Sequence, residues 1–178
     1  MLADGREVRL RSARPRDARL LVELLDGVAG EVPPTLLITP GEADVKLWKR
    51  RIAAAAADPR SLFLVAETEG ELAGDLSLER DAHPNSSHVA WVGIAVRREW
   101  RGLGVGSALL EEAIAWAASA GLTKLVLGAF PENSRALAFY ERHGFRREGV
   151  RAAQYLRVGR YHDEVLMARI LTPTPDRS

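Results

Sequence analysis

EWRGLGVGSALLEEA occupies residues 99–113 and places three glycines, Gly102, Gly104 and Gly106, directly before a helical pattern. Glycines this close together let the backbone press against a ligand, and the first N–H groups of a helix have no partner inside it and attract anions. The stretch therefore predicts an anion-binding turn with a phosphate-bearing ligand. A tight strand-to-helix turn without any ligand is the alternative that the stretch alone leaves open.

Two common phosphate loops do not match this stretch. A Walker loop ends in Gly-Lys-Ser/Thr, whereas this chain has Gly106 followed directly by Ser107. A dinucleotide fingerprint spaces its glycines as G-x-G-x-x-G in the first βα turn of a parallel sheet, and here both the spacing and the position differ. The remaining functional interpretation is a pyrophosphate nest, in which successive N–H groups of residues 101–107 point at the anion.

Composition limits the class of protein. The chain has 178 residues, 47% of them apolar and 28% charged, which is typical of a soluble globular protein. We expect one domain over residues 1–171 and a disordered polar tail over residues 172–178. A net charge of +1 with scattered arginines predicts no nucleic-acid partner. The lack of cysteine excludes a disulfide framework, a thiolate nucleophile and a Cys-ligated zinc site.

Targeting signals are not expected. The first twenty residues contain several arginines and no unbroken apolar stretch, and the longest apolar run, residues 52–57, is too short to cross a bilayer. The sequence therefore predicts a cytoplasmic protein with no membrane partner.

Hydrophobic periodicity predicts an order of elements along the chain. The predicted elements are a strand over 6–13, a helix over 14–28 with Gly27 as its stop, a loop over 29–44, a helix over 43–58, a hairpin over 61–81 turning at 69–70, a strand over 88–98, a helix ending near 119, a strand over 123–130, a helix between Asn133 and Gly144, and closing strands. This order predicts an α+β domain with a mixed, mostly antiparallel central sheet flanked by helices.

Two motifs carry a family resemblance. RGLGVG, residues 101–106, resembles the Arg/Gln-x-x-Gly-x-Gly/Ala signature of the GNAT superfamily of acyl-CoA-dependent N-acyltransferases. NSRALAFYERHGF, residues 133–145, resembles the second motif of that family, about thirty residues later. SHVAWVGIAV, residues 87–96, together with the closing segment, residues 147–170, is similar to a branch that contains free L-amino-acid N-acetyltransferases. The resemblance implies the GNAT fold and acetyl-CoA as co-substrate, with no metal.

The resemblance also implies where the cofactor lies. The pyrophosphate of coenzyme A is expected at the glycine turn, and the pantetheine arm is expected along the central strand, on backbone groups of Ile94, Ala95 and Val96. Gly93 within that strand predicts a bulge that opens a slot beside it. The residues of the turn expected at the pyrophosphate are Arg101, Gly102, Leu103, Gly104, Val105, Gly106 and Ser107.

Three residues of the second motif are expected near the thioester. Asn133 and Tyr140 are seven residues apart, close to two helical turns, so they share a face with the small Ala136 between them. The family motif implies that Asn133 and Ala136 contact the cofactor arm and that Tyr140 is the general acid for the leaving thiolate, since a phenol with a pKa near 10 stays protonated. A helix cap at Asn133 and a core aromatic at Tyr140 are the alternatives.

The general base is not identified by the sequence. Some family members carry a glutamate at the position of Gly128 or an acid on the central strand, where this chain has apolar residues 90–92. A water chain to solvent could also remove the proton. The candidate side chains near the ends of neighbouring strands are Glu79, Asp81 and His88.

The predicted function is transfer of the acetyl group of acetyl-CoA to a primary amine of a small molecule, such as an L-amino acid, by direct attack in a ternary complex. Protein N-termini and amine-bearing antibiotics or toxins are alternative acceptors. A non-catalytic CoA-binding regulatory module is the alternative from another class, which the missing acid at Gly128 keeps open. The resemblance and the apolar closing strand also predict a homodimer.

Overall fold

Seven β-strands and four α-helices lie within residues 2–32 and 34–171, the part of the chain described by this computed structural model. The elements are β1 (Arg9–Ser12), α1 (Ala18–Ala29), α2 (Val45–Ala57), β2 (Leu62–Thr68), β3 (Glu71–Arg80), β4 (Val89–Val96), α3 (Val105–Ser119), β5 (Lys124–Ala129), α4 (Ser134–Arg142), β6 (Arg146–Arg157) and β7 (Arg160–Ile170). The tail predicted over residues 172–178 lies outside the described residues.

One sheet contains all of these strands, in the order β1-β2-β3-β4-β5-β7-β6. Neighbouring strands are antiparallel except β4 and β5, which are parallel and are connected through α3. The predicted mixed, mostly antiparallel sheet is therefore confirmed, with β4 at its centre.

Helices cover both faces of the sheet. On one face, α3 buries Leu109, Leu110 and Ala113, and α4 adds Leu137. On the other face, α1 and α2 pack on the side chains of β2 that point away from α3. Each fully buried leucine contributes about 1.5–3 kcal/mol through removal of apolar surface from water. No helix in residues 2–32 and 34–171 has the length and apolar character needed to cross a bilayer.

Helix α1 continues past its predicted stop at Gly27. It ends at Ala29, and the N–H of Gly30 donates to the carbonyl of Asp26 at 3.0 Å. Val28 and Ala29 are only 3% and 2% exposed, so their packing outweighs the roughly 1 kcal/mol that a glycine costs inside a helix. The Gly27 prediction is wrong because tertiary packing overrides a local preference.

The sheet opens between β4 and β5. These strands pair only from Val89 to Trp91, opposite residues 124–126, and then separate. On the other side of β4 the pairing with β3 runs without a register shift from Gly74↔Val96 to Arg80↔Ala90, so no bulge occurs at Gly93 against β3. The slot predicted beside β4 is present, but it results from divergence of two parallel strands and not from the predicted bulge.

Candidate active site

The glycine turn adopts a backbone that favours glycine. Gly102 has φ of +80° and Gly104 has φ of +102°, both in the left-handed region, and α3 begins directly after Gly104. Within the described part of the chain, the amides of residues 102–107 donate to no backbone carbonyl. A helix N-terminus with a run of unpaired N–H groups is an anion-binding arrangement.

A cleft of about 380 Å³ lies in front of this turn and is called the loop cleft. Its polar lining includes two arginines of α4, Arg135 and Arg142, which add positive charge to the helix N-terminus. The lining residues are Val28, Thr35, Leu36, Ile94, Ala95, Val96, Arg101, Gly102, Gly104, Gly106, Ser107, Asn133, Arg135, Ala136, Phe139, Tyr140 and Arg142.

A second cleft of about 320 Å³ contains two buried carboxylates and is called the acid cleft. It shares Ile94, Ala95 and Tyr140 with the loop cleft, so the two spaces meet where β4 leaves β5. The lining residues are Leu25, Thr35, Leu36, Leu37, Ile38, Trp48, Arg51, Asp75, Ser77, Trp91, Val92, Gly93, Ile94, Ala95, Gly128, Ala129, Asn133, Ala136, Tyr140, Arg151, Tyr155 and Glu164.

Tyr140 lies at this junction. Its side chain packs in the core with 9% exposure, while the residue lines both clefts. Burial raises the pKa of Tyr140 to about 12, so the phenol keeps its proton at neutral pH. The hydroxyl donates to no group among the described residues, which leaves its proton available to a ligand.

The free edge of β4 presents alternate amides to the slot. The N–H of Arg97 donates to the carbonyl of Ala73 on β3 at 2.9 Å. Because backbone groups alternate between the two sides of an antiparallel strand, the amides of Ile94 and Val96 point toward the slot and that of Ala95 points toward β3. Ala95 therefore departs from the predicted backbone contact and lines the clefts by its side chain instead.

Known proteins share this architecture. A model of the Acetyltransferase (GNAT) family matches residues 33–145. The L-amino acid N-acetyltransferase AaaT of Escherichia coli strain K12 is 32% identical over 165 residues, which cover 92% of this chain and 98% of that protein. The chain belongs to the GNAT acetyltransferase family. It is accordingly an acyl-CoA-dependent acetyltransferase.

Solved GNAT structures superpose on most of the chain. A GNAT acetyltransferase from Streptococcus pneumoniae has a TM-score of 0.84 and 28% identity, and the match covers 92% of this chain and 99% of that one. The yncA acetyltransferase from Salmonella typhimurium, solved with its cofactor acetyl-CoA, has a TM-score of 0.85 over 97% of this chain and 98% of its own. Because the two sequences are only 18% identical, this match shows a shared fold and no more.

Within the GNAT glycine turn, three residues predicted to contact the pyrophosphate have side chains that bind or pack against other parts of the protein. The amide of Arg101 donates to Arg98 within the preceding turn, and its guanidinium donates to both carboxylate oxygens of Glu31 at 2.7 and 2.8 Å. Arg101 therefore ties the loop after α1 to the glycine turn. The side chains of Leu103 and Val105 pack into the core, so only their backbone can face the loop cleft.

Asn133 has two structural partners. Its Oδ1 accepts from the amide of Ala136 at 3.2 Å, which is the predicted helix cap, and its Nδ2 donates to the carbonyl of Thr35 at 3.3 Å. Both Asn133 and Ala136 line the two clefts, as expected for residues on the face shared with Tyr140.

The three predicted base candidates lie outside both clefts. Glu79 pairs with Arg51, and Asp81 accepts from the indole N–H of Trp91 at 3.1 Å. His88 is exposed at the start of β4, whereas the clefts lie toward its end. These side chains lie on parts of β3 and β4 that the clefts do not reach, and the sequence alone did not show where along the strands the clefts open.

Two carboxylates that the sequence did not single out line the acid cleft instead. Asp75 on β3 is 3% exposed, and burial raises its pKa to about 7, with the charge of Arg51 opposing the rise. Glu164 on β7 is 2% exposed and accepts from Arg151 and from the Tyr155 hydroxyl, each at 3.1 Å. An acid within an otherwise apolar strand, as in LAGDLSL, is the signal that could have identified Asp75.

Glu164 occupies the space above Gly128. A Cβ built on Gly128 would overlap the Glu164 carboxylate. A carboxylate from the neighbouring strand β7 thus lies where a side chain at position 128 would begin. In residues 2–32 and 34–171, no group of three or more His, Asp or Glu side chains is arranged to hold a metal ion.

Proposed function

We propose that this enzyme transfers the acetyl group of acetyl-CoA to the amino group of a free L-amino acid by direct attack in a ternary complex. The observation that carries the proposal is the junction of the loop cleft and the acid cleft at Tyr140. Because the two clefts adjoin and share part of their lining, a thioester in one and an amine in the other can be bound side by side at the same time.

The loop cleft is the proposed site of acetyl-CoA. The pyrophosphate sits on the amides of the glycine turn, and Arg135 and Arg142 bind phosphate oxygens. The pantetheine arm lies in the slot as an added strand, on the amides of Ile94 and Val96. The acetyl-CoA bound to the yncA acetyltransferase of the same fold supports this assignment.

Tyr140 is the proposed general acid. Attack of the amine forms a C–N bond, the C–S bond then breaks, and the thiolate takes the phenolic proton. A tyrosine with a pKa of about 12 is protonated at all physiological pH values, and its position in the lining of both clefts supports this role. One amide on the free edge of β4 is aimed at the developing oxyanion.

The charges of the acid cleft favour a zwitterionic acceptor. Two arginines, Arg51 and Arg151, and two acids, Asp75 and Glu164, line it and balance one another. Polyamines and aminoglycosides carry several positive charges and would meet both arginines. A free amino acid needs one anionic and one cationic contact, and the name of the E. coli relative points the same way.

Arg51 is the proposed anchor of the substrate carboxylate. Its Nε and Nη2 donate to Glu79, and its guanidinium lies 4.4 Å from the centre of the Trp48 ring. Nη1 makes no hydrogen bond within the described residues, so it can donate to a carboxylate. The apolar lining, with Leu25, Ile38 and Trp91, suits an apolar side chain.

A thiol-release screen tests the proposal. Acetyl-CoA is mixed with the enzyme and with L-amino acids, polyamines, aminoglycosides or peptides with free N-termini, and release of CoA is followed. We expect release with L-amino acids that exceeds release with the other classes. Tight acetyl-CoA binding without turnover of any amine would favour the regulatory module, and preference for peptides would favour an N-terminal acetyltransferase.

A homodimer is part of the proposal for assembly. Edge strand β6 and its hairpin with β7 expose Val150, Leu156, Val158 and Tyr161, four apolar side chains that a second copy could cover. Sedimentation of the wild type and of Leu156→Glu, with a monomer expected for the variant, checks this. A cytoplasmic location stays a prediction.

A further inference from the structure

Asp75 combines burial with a position at the reacting end of the acid cleft. It lies on β3 directly opposite Ala95 of β4, which is shared by the two clefts. Its side chain is on the face that α1 and α2 cover, and only 3% of the residue is exposed. The carboxyl group therefore lines the acid cleft from β3, one strand away from the free edge of β4 along which the thioester is proposed to lie.

The carboxyl group of Asp75 has no hydrogen-bond partner among residues 2–32 and 34–171. Its Oδ1 is completely shielded from solvent and accepts no hydrogen bond within the described residues. Burial of a carboxylate without a partner is costly, and burial raises the pKa of Asp75 to about 7. A group kept in this state is equipped to bind a cation and to take a proton from it.

The other charged groups in the acid cleft each have an ion-pair partner among the described residues. Glu164 accepts from Arg151 and from Tyr155, and Arg51 pairs with Glu79. The remaining ionisable side chain of the lining is Tyr140, which is protonated. The charged group that acts on the ionisation of Asp75 is Arg51 on α2, whose positive charge lowers the pKa against the rise caused by burial.

We propose that Asp75 binds the ammonium group of the acceptor and acts as the general base that makes it nucleophilic, an inference that rests on the proposed function. The carboxylate of Asp75 takes one proton from R–NH3⁺. The resulting amine attacks the thioester carbonyl, and the C–S bond breaks as Tyr140 protonates the thiolate. The second nitrogen proton restores Tyr140, and the proton on Asp75 leaves to solvent with the products.

The test is the pH dependence of kcat/KM in wild type and Asp75→Asn, with the amine of highest turnover in the screen, whatever its class. We expect log kcat/KM of the wild type to rise with a slope of one and to level near pH 7, as the pKa of Asp75 requires. Asp75→Asn should lose about 10²–10⁴-fold at pH 7.5 and keep rising toward the pKa of the amine.

Matched variants separate this role from a structural one. Glu71→Gln changes an exposed acid on the same strand and should retain the wild-type profile. Asp75→Ala with added formate should regain part of the lost rate, since formate replaces the missing carboxylate. Acetyl-CoA affinity, measured by calorimetry, should be unchanged in each variant and so reports an intact fold.

The inference is overturned if Asp75→Asn keeps its rate and the inflection near pH 7, or if Glu164→Gln alone removes that inflection. The class of the amine used in the assay distinguishes failure of the Asp75 proposal from failure of the proposed amino-acid substrate. Loss of the inflection with an acceptor other than an amino acid would support Asp75 and refute the proposed substrate, whereas an unchanged Asp75→Asn with an amino acid would do the reverse.

Discussion

The two clefts that meet at Tyr140 are made by different means. The loop cleft offers backbone: a glycine turn, the start of α3 and the free edge of β4. The acid cleft offers side-chain charge, with Arg51 from α2, Asp75 from β3 and Glu164 from β7. One half of the site is set by the backbone conformation of a single stretch, and the other is set by how several distant elements pack.

This contrast predicts opposite sensitivities. Changes that alter backbone dihedrals should damage the loop cleft, because its amides bind the ligand whatever the residue type. Most side-chain changes there, other than loss of Arg135 or Arg142, should be tolerated. In the acid cleft, removal of one charged atom should change the reaction without moving the backbone. Substitutions in the two clefts test this contrast, from the largest expected effect to the smallest.

Gly104→Val should abolish measurable acetyl-CoA binding. A β-branched residue resists φ of +102°, so the turn must rearrange and its amides lose their common direction. A Cβ at this position meets no atom within 4 Å, so crowding is not the cause. Gly104→Asn, which tolerates left-handed backbone, is the matched control and should retain binding in calorimetry. Equal loss in both variants would refute the backbone explanation.

Tyr140→Phe should lower kcat by about 10²–10⁴-fold while acetyl-CoA affinity is retained. The ring stays packed and only the proton donor is removed, so the thiolate must leave without assistance. Steady-state kinetics with a thiol reagent measure the effect. The defect should shrink with a thioester whose thiol has a lower pKa, since such a leaving group needs less protonation. A wild-type kcat would remove Tyr140 from the acid role.

Arg51→Met should lower kcat/KM for an L-amino acid by about 100-fold, the range expected for loss of a charge-assisted hydrogen bond. The methyl ester of the same amino acid lacks the carboxylate and should be affected little. Measurement at pH 8.5 keeps Asp75 ionised in the wild type, where its pKa is about 7, and the ester assayed at the same pH controls for the rise in that pKa when the charge of Arg51 is lost. An equal loss for acid and ester would mean that Arg51 supports the cleft without touching the substrate carboxylate.

Asp75 should make the unliganded protein less stable as pH rises. Its pKa moves from 3.8 to about 7 on folding, so the native state binds more protons between those values and stability falls through that window. The loss is about 2 kcal/mol between pH 5 and pH 7. Urea unfolding of wild type and Asp75→Asn at both pH values measures it, and a variant with the same pH dependence as wild type would contradict the prediction.

The sequence was informative where a site is local. The glycine turn, the cap at Asn133 and the spacing of Asn133 and Tyr140 depend on neighbouring residues. The structure has the turn in the loop cleft and has Asn133 and Tyr140 where the two clefts meet. Local preference also led to two wrong predictions, a helix stop at Gly27 and a bulge at Gly93. Packing of α1 and the divergence of β5 from β4 decided these two points.

The acid cleft could not be predicted for a physical reason. Asp75 and Glu164 are 89 positions apart in the sequence and share a cleft because β3 and β7 lie on opposite sides of the gap between β4 and β5. Nothing in either local segment encodes that gap. Glu79, Asp81 and His88 were predicted as candidate bases because they lie near strand ends in the sequence. The acid cleft opens elsewhere along β3 and β4.

The overlap between position 128 and the Glu164 carboxylate has a consequence for comparing related enzymes. A chain with any side chain at position 128 cannot hold glutamate at 164 in this conformation, since both would fill the same volume. A larger residue at position 128 therefore requires either that the Glu164 side chain turns aside or that a smaller residue stands at position 164. That exclusion would sort members of the branch into two groups by which strand delivers the carboxylate.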